Sequence, residues 1–262
     1  MEWQSIYENT AQTCYLFATL GAAVLAIQGV IQRPGLLEIF RLPAGARDAA
    51  LFVGVCLCSL ALLTLSAAFE DHIAGPLAML MLTTCALGVL AFPIYPIAIA
   101  QDLQRERFNF PWGRVLALGV LGFVWSAVAV RLAMTLLSAE MKENFTFRDV
   151  SARYPLEFAS IFFFTLIAAA LEEILFRGGI QTMLSRWINP HAAIAVTALL
   201  WAFGHTGYMT PIGAKEAQIF GLGLLFGYAR QKYGLRAAIV MHVVNNALSV
   251  LAMLLPWDLL GG

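Results

Sequence analysis

Residues Leu156–Arg177 read LEFASIFFFTLIAAALEEILFR. From Phe158 to Leu171 the stretch holds no charged residue; two adjacent glutamates follow, and an arginine four residues after the second. A helix needs about 20 mostly apolar residues to cross the hydrocarbon core of a bilayer, at 1.5 Å per residue. The run is therefore read as a transmembrane helix. It carries Glu172, Glu173 and Arg177 where an ionisable group is costly, which makes each of them a functional candidate.

The rest of the chain repeats the apolar pattern. Of 262 residues, 60% are hydrophobic and 12% charged, with sixteen Lys+Arg against sixteen Asp+Glu, and the mean hydropathy is +0.77. A soluble domain carries about 25% charge. The high hydropathy and the absence of a basic excess exclude disordered, collagen-like and nucleic-acid-binding classes. Eight apolar runs stand out: Ala11–Ile31, Ala49–Ala68, Gly75–Ala100, Val115–Ser138, Leu156–Phe176, His191–Tyr208, Ala217–Ala229 and Leu235–Leu255. The third contains Pro93 and Pro96, which kink or end a helix. The expectation is an all-α, polytopic membrane bundle of about eight transmembrane helices. The polar linker Ala139–Pro155 divides one membrane domain into a four-helix region at 1–138 and a second region at 156–256.

Loop charges set the orientation. With the N-terminus outside, the inner loops hold eleven Lys or Arg and the outer segments four (Lys142, Arg148, Arg153 and Lys215), while Arg131 lies within the fourth span. That count places both termini outside. No Lys or Arg precedes Arg33, so the first run reads as a retained helix rather than a secretory signal. Cys14, Cys56, Cys58 and Cys85 sit in apolar runs and read as small hydrophobes, without zinc or redox spacing.

Charge inside the spans is concentrated in the second half. Glu173 and Arg177 are four apart, share a helix face and can pair. Glu172 is rotated by about 100° from Glu173 and has no such partner in its own helix, which suits a general base that takes and returns a proton. Asn189-Pro190 marks a turn between two apolar helices. Glu172 lies seventeen residues before Asn189 and His205 fifteen after Pro190, so an antiparallel hairpin brings the two to similar depth. In the last span, His242 and Asn246 share a face, with Asn245 at i+3. A His and an Asn there can donate to a developing oxyanion or serve as hydrogen-bonded glue between helices.

At these residues the chain resembles the CAAX-protease and bacteriocin-processing (CPBP, or Abi) family of intramembrane proteases. The motifs are Glu172-Glu173-Ile-Leu-Phe-Arg177, Trp201-Ala-Phe-Gly-His205 and His242-Val-Val-Asn245-Asn246. Their order and separation are similar to the family's, with Trp201 where the family usually has Phe. The resemblance covers about Leu156 to Leu255, and the first four spans carry none of it. It implies an endopeptidase in which Glu172 activates water and His205 orients it or shares its proton. It further implies that His242 and Asn246 form an oxyanion hole and that Glu173 and Arg177 position the site.

No cofactor is expected. One Glu and two His match the ligand count of a catalytic zinc, but no H-E-x-x-H occurs, so metal-free and zinc-dependent mechanisms both stay open. The expected partners are the lipid bilayer and a membrane-associated peptide or protein: a prenylated C-terminus, a peptide precursor or a C-terminal sorting signal. The expected location is a bacterial inner membrane. Two non-proteolytic readings compete: a peptide-binding immunity or scaffold protein, and a small proton-coupled transporter using Glu172 and His205 as a relay.

Overall fold

The computed structural model describes residues 111–137, 140–141, 155–206, 209–210, 213–252 and 254, with positions 84, 87, 88 and 91. The first two expected spans, all but four positions of the third, the four cysteines and most of the linker lie outside the described residues. The remaining five spans fall on helices. These are α1 (Trp112–Leu136), α2 (Pro155–Glu173), α4 (Pro190–Phe203), α5 (Ala214–Tyr233) and α6 (Leu235–Ala252). Between α2 and α4 the chain passes through a π-helical segment, Ile174–Gln181, and the single turn α3 (Thr182–Leu184). Two-residue strands β1 (Glu140–Met141) and β2 (Met209–Thr210) pair antiparallel. They join the connection after α1 to the one after α4 at a single end of the bundle, as up-and-down helices require.

Among the described residues, three helical stretches are long and apolar enough to cross a membrane: Trp112–Leu136, Phe158–Leu184 and Leu235–Ala252. Leu116, Val120, Val124, Val128 and Leu132 remain exposed along α1. A row of that kind suits hydrocarbon and not water.

Helix α4 starts where the turn signal placed it. Asn189 accepts a hydrogen bond from the His191 amide at 2.8 Å, and Pro190 occupies the first helical position. The sixth run, expected to reach Tyr208, stops being helical at Phe203. Fourteen residues span only about 21 Å, and a turn at Gly204–Thr206 follows. Irregular backbone at membrane depth is tolerated where it is buried in protein or lines a wet cavity, and His205 lies on such a cavity. The seventh run is longer than expected, because Lys215, Glu216, Arg230 and Lys232 add polar turns to both ends of α5.

Close contact between α4 and α5 rests on glycine. A Cβ on Gly223 would stand 2.7 Å from Ala198 Cβ and 2.9 Å from Ala198 Cα; one on Gly227 would meet Ile194 Cγ2 at 2.7 Å. Four residues apart, they form the small-residue stripe by which membrane helices approach backbone to backbone. Their carbonyls take a second load: Arg177 Nη2 donates to Gly223 O at 3.3 Å and Gln181 Nε2 to Gly227 O at 3.0 Å. Two side chains four apart on the π segment thus grip two carbonyls four apart on α5. Gln181 is itself buried against that helix. On the far side of α5, Trp125 Nε1 donates to Gln218 O at 3.0 Å and Gln218 Nε2 to Ser126 Oγ at 2.8 Å, which ties α1 to the bundle.

Candidate active site

Three helices turn one polar face each toward a common cavity of about 260 Å³. Helix α2 presents Thr165, Ala168, Ala169 and Glu172. Helix α6 presents His242, Asn245, Asn246 and Ser249, and α5 presents Lys215, Gln218, Ile219 and Leu222. The spacing in each is i, i+3 or i+4, i+7, which is one helical face over two turns. Trp201 and His205 close the cavity from α4 and the turn after it, and Ser126 does so from α1.

The adjacent glutamates have separate fates, as their rotation on the helix requires. Glu173 is fully buried behind the cavity, with Oε1 3.1 Å from Arg177 Nη1 and 2.9 Å from His242 Nδ1. The ion pair expected from the sequence is present, and one carboxylate oxygen serves a guanidinium and an imidazole together. Arg177 also lies over the Trp201 ring, 4.6 Å from its centroid, a cation–π contact that helps offset its burial. The arginine belongs to the π segment, whose i→i+5 pattern occurs chiefly at functional sites. Gly178 and Gly179 lie in that segment, and the Thr182 hydroxyl bonds the Arg177 carbonyl five residues back at 2.9 Å.

Glu172 is half-buried and faces the cavity. Its Oε2 accepts a hydrogen bond from Trp201 Nε1 at 2.8 Å. The hairpin therefore does bring α4 against Glu172, but in a register shifted by one turn from the residue-counting expectation: Trp201 stands opposite the carboxylate. Equal counting from the turn assumed regular α-helix on both sides. The π segment packs more residues into each turn, and residues 185–189 are not helical, so the α2 side gains less length per residue. His205 lines the same cavity, with the charges of Glu172, Lys215 and His242 acting on its ring. Its Nδ1 lies 3.0 Å from Trp201 O. A carbonyl can only accept, so Nδ1 carries the proton and the lone pair of the neutral ring sits on Nε2.

His242 is buried between Trp201 and Phe226, edge-on to the first at 5.2 Å and stacked on the second at 4.9 Å between centroids. Asn245 is buried and donates from Nδ2 to Asn246 Oδ1 at 3.0 Å, while its own Oδ1 lacks a hydrogen-bond partner. All six residues singled out in the sequence thus fall in one assembly. Glu172, His205, His242 and Asn246 line the cavity, and Glu173 and Arg177 lie behind it. Thr165, Ser249, Lys215, Gln218 and the donor role of Trp201 were missed. Thr165 and Ser249 had a usable signal, since each lies seven residues from a motif residue on the same helix face.

Zinc bound for catalysis needs about three protein ligands at one point. Among the described residues no three His, Cys, Asp or Glu side chains converge in that way. His242 Nδ1 and His205 Nδ1 are turned to Glu173 and to a carbonyl, which leaves Nε2 as the free nitrogen of each ring.

The fold and the cavity together define a helical membrane protein with an acid–imidazole site inside the bundle. Residues 154–248 match the family described as type II CAAX prenyl endopeptidase Rce1-like. The chain thus carries an Rce1-like domain of the CPBP family, over the part of the sequence that builds the cavity. No curated protein and no solved structure matches the chain.

Proposed function

We propose that the cavity is the active site of an intramembrane endopeptidase that hydrolyses a peptide bond by glutamate-activated water. The observation that carries this reading is the convergence of Glu172, His205, His242, Asn245 and Asn246 on one cavity, within a domain of a CAAX-endopeptidase family. Glu172 takes a proton from water as its oxygen attacks the scissile carbonyl carbon. The tetrahedral oxyanion is held by His242 and Asn246. Collapse breaks the C–N bond, and the proton passes from Glu172, with His205 sharing it, to the departing amine. The products are a carboxylic acid and an amine, which accounts for both parts of the water molecule.

The His242–Glu173 contact gives this scheme a specific requirement. With Nδ1–H donating to Glu173, the ring donates to an oxyanion from Nε2 only as the imidazolium. Glu173 holds Nδ1 of that ring, and Arg177 holds Glu173 through the same carboxylate oxygen. Glu173 and Arg177 thereby position His242 without touching the substrate.

The substrate we infer is a membrane-associated peptide or protein cut near the inner membrane surface: a lipidated C-terminus, a peptide precursor or a C-terminal sorting signal. The proposed setting is a bacterial inner membrane, and the proposed mechanism is metal-free. Glu172→Gln tests the reading. Cleavage of a prenyl-cysteine peptide by reconstituted enzyme should fall by about a hundredfold to ten-thousandfold, the range for loss of a single general base. Full turnover by the variant would exclude catalysis at this site. Proton or solute flux in liposomes without peptide cleavage would favour a transporter.

A further inference from the structure

The proposed reaction uses every ionisable group of the cavity but one. Lys215 lines it near the start of α5, at the end of the bundle where β1 and β2 pair. No hydrogen bond or ion pair with a described residue holds its ammonium. The adjacent Glu216 acts on it only through its charge. That carboxylate is turned back to its own helix end, where Oε2 accepts from the Gly213 amide at 2.9 Å. Lys215 is the one lysine or arginine among the cavity-lining residues. A half-buried cation that makes no direct ion pair is costly, and an anion arriving in the cavity would lower that cost.

A peptide substrate can bring an anion in two ways, as its terminal α-carboxylate or as an Asp or Glu side chain. The dimensions limit where it lies. The lining covers two turns of each helix, about 10 Å, and an extended chain advances about 3.3 Å per residue. The carboxylate therefore falls within about three residues of the bond at Glu172. We propose that Lys215 is a substrate-binding residue that takes a carboxylate placed within about three residues of the scissile bond. This rests on the endopeptidase reading of the cavity and narrows its substrate to peptides anionic at that distance.

The test uses the full chain in liposomes and prenyl-cysteine peptides with three residues after the cysteine. One peptide has neutral side chains and a free C-terminus, a second is its C-terminal amide, and a third is the amide with Glu at the last position. At least one anionic peptide should show a KM about tenfold or more below that of the neutral amide, as loss of a charge-assisted hydrogen bond predicts, with kcat changed far less. Preference for the first identifies the α-carboxylate, and preference for the third identifies a side chain. Lys215→Met should abolish the preference and Lys215→Arg should restore it, with thermal unfolding in detergent confirming that both fold. Equal KM for all three peptides with wild-type enzyme, a comparison that needs no variant, overturns the proposal while leaving the endopeptidase intact. Persistence of the preference in Lys215→Met overturns it as well. No cleavage of any peptide overturns the endopeptidase reading and this inference with it.

Discussion

The indole of Trp201 donates a 2.8 Å hydrogen bond to Glu172 Oε2, and the carbonyl of the same residue accepts from His205 Nδ1 at 3.0 Å. One residue therefore fixes both members of the proposed water-activating pair. A phenylalanine at this position would keep a ring and lack the donor. Trp201→Phe should retain the packing against Phe226 and Arg177 and lose only the bond to the carboxylate. A hydrogen bond to a charged group contributes about 1.5–3 kcal/mol, so we expect kcat to fall by roughly tenfold or more with KM little changed. Steady-state cleavage of the prenyl-cysteine peptide measures this. An unchanged kcat would mean that Glu172 is held in place by other contacts.

The two glutamates should separate chemistry from stability. Glu172 is half-buried at the cavity, so Glu172→Gln should abolish turnover while leaving the unfolding temperature near wild type. Glu173 is completely buried between Arg177 and His242. Glu173→Gln leaves a buried guanidinium without its counter-charge, a loss of roughly 3–5 kcal/mol for removing one member of a buried pair. A marked drop in unfolding temperature in detergent is expected for this variant alone. Equal melting of the two variants would contradict the division of roles.

Why the site was largely legible in the sequence follows from the cost of charge in a membrane. Glu172, Glu173, Arg177, His205 and His242 were conspicuous because hydrocarbon tolerates so few such groups. Periodicity then sorted them correctly within a helix, as the Glu173–Arg177 pair illustrates. It failed between helices. The offset between Glu172 and His205 depends on the π winding at Ile174–Gln181, and no propensity in ILFRGGIQ separates i→i+5 from i→i+4 bonding. Lys215 was passed over as a loop charge because its residue type is ordinary at a helix start, and only packing shows that it borders the cavity.

Binding at Lys215 should carry a pH signature. Burial pulls its ammonium below the ordinary lysine range, and the charge of Glu216 opposes that in part. As pH rises, Lys215 loses its proton earlier than a surface lysine, and the attraction for a substrate carboxylate goes with it. KM for the anionic peptide should therefore climb on the alkaline side while KM for the neutral amide stays flat. The other groups bordering the cavity are Glu172 from α2, His205 after α4 and His242 from α6, and both peptides meet them alike. Lys215→Arg should shift the climb to higher pH, because a guanidinium stays charged throughout. Parallel KM profiles for the two peptides would remove Lys215 from substrate binding.

The α4–α5 contact gives a prediction about how packing supports the site. At Gly223 a methyl group would meet the Cα of Ala198 at 2.9 Å as well as its Cβ at 2.7 Å. Backbone cannot rotate away, so the helices must separate. Overpacking of this kind costs about 1–3 kcal/mol, and Gly223→Ala should lower the unfolding temperature. Gly227→Ala meets the end of the Ile194 side chain and Gln181 Oε1 at 3.1 Å, both of which can yield, so its cost should be smaller. Gly113→Ala in α1 meets nothing within 4 Å and is the neutral control. The Gly223 carbonyl also accepts from Arg177, so separating the helices pulls on the group that holds Glu173 and, through it, His242. Gly223→Ala should thus lower kcat as well as stability, whereas a purely structural stripe would lower stability alone.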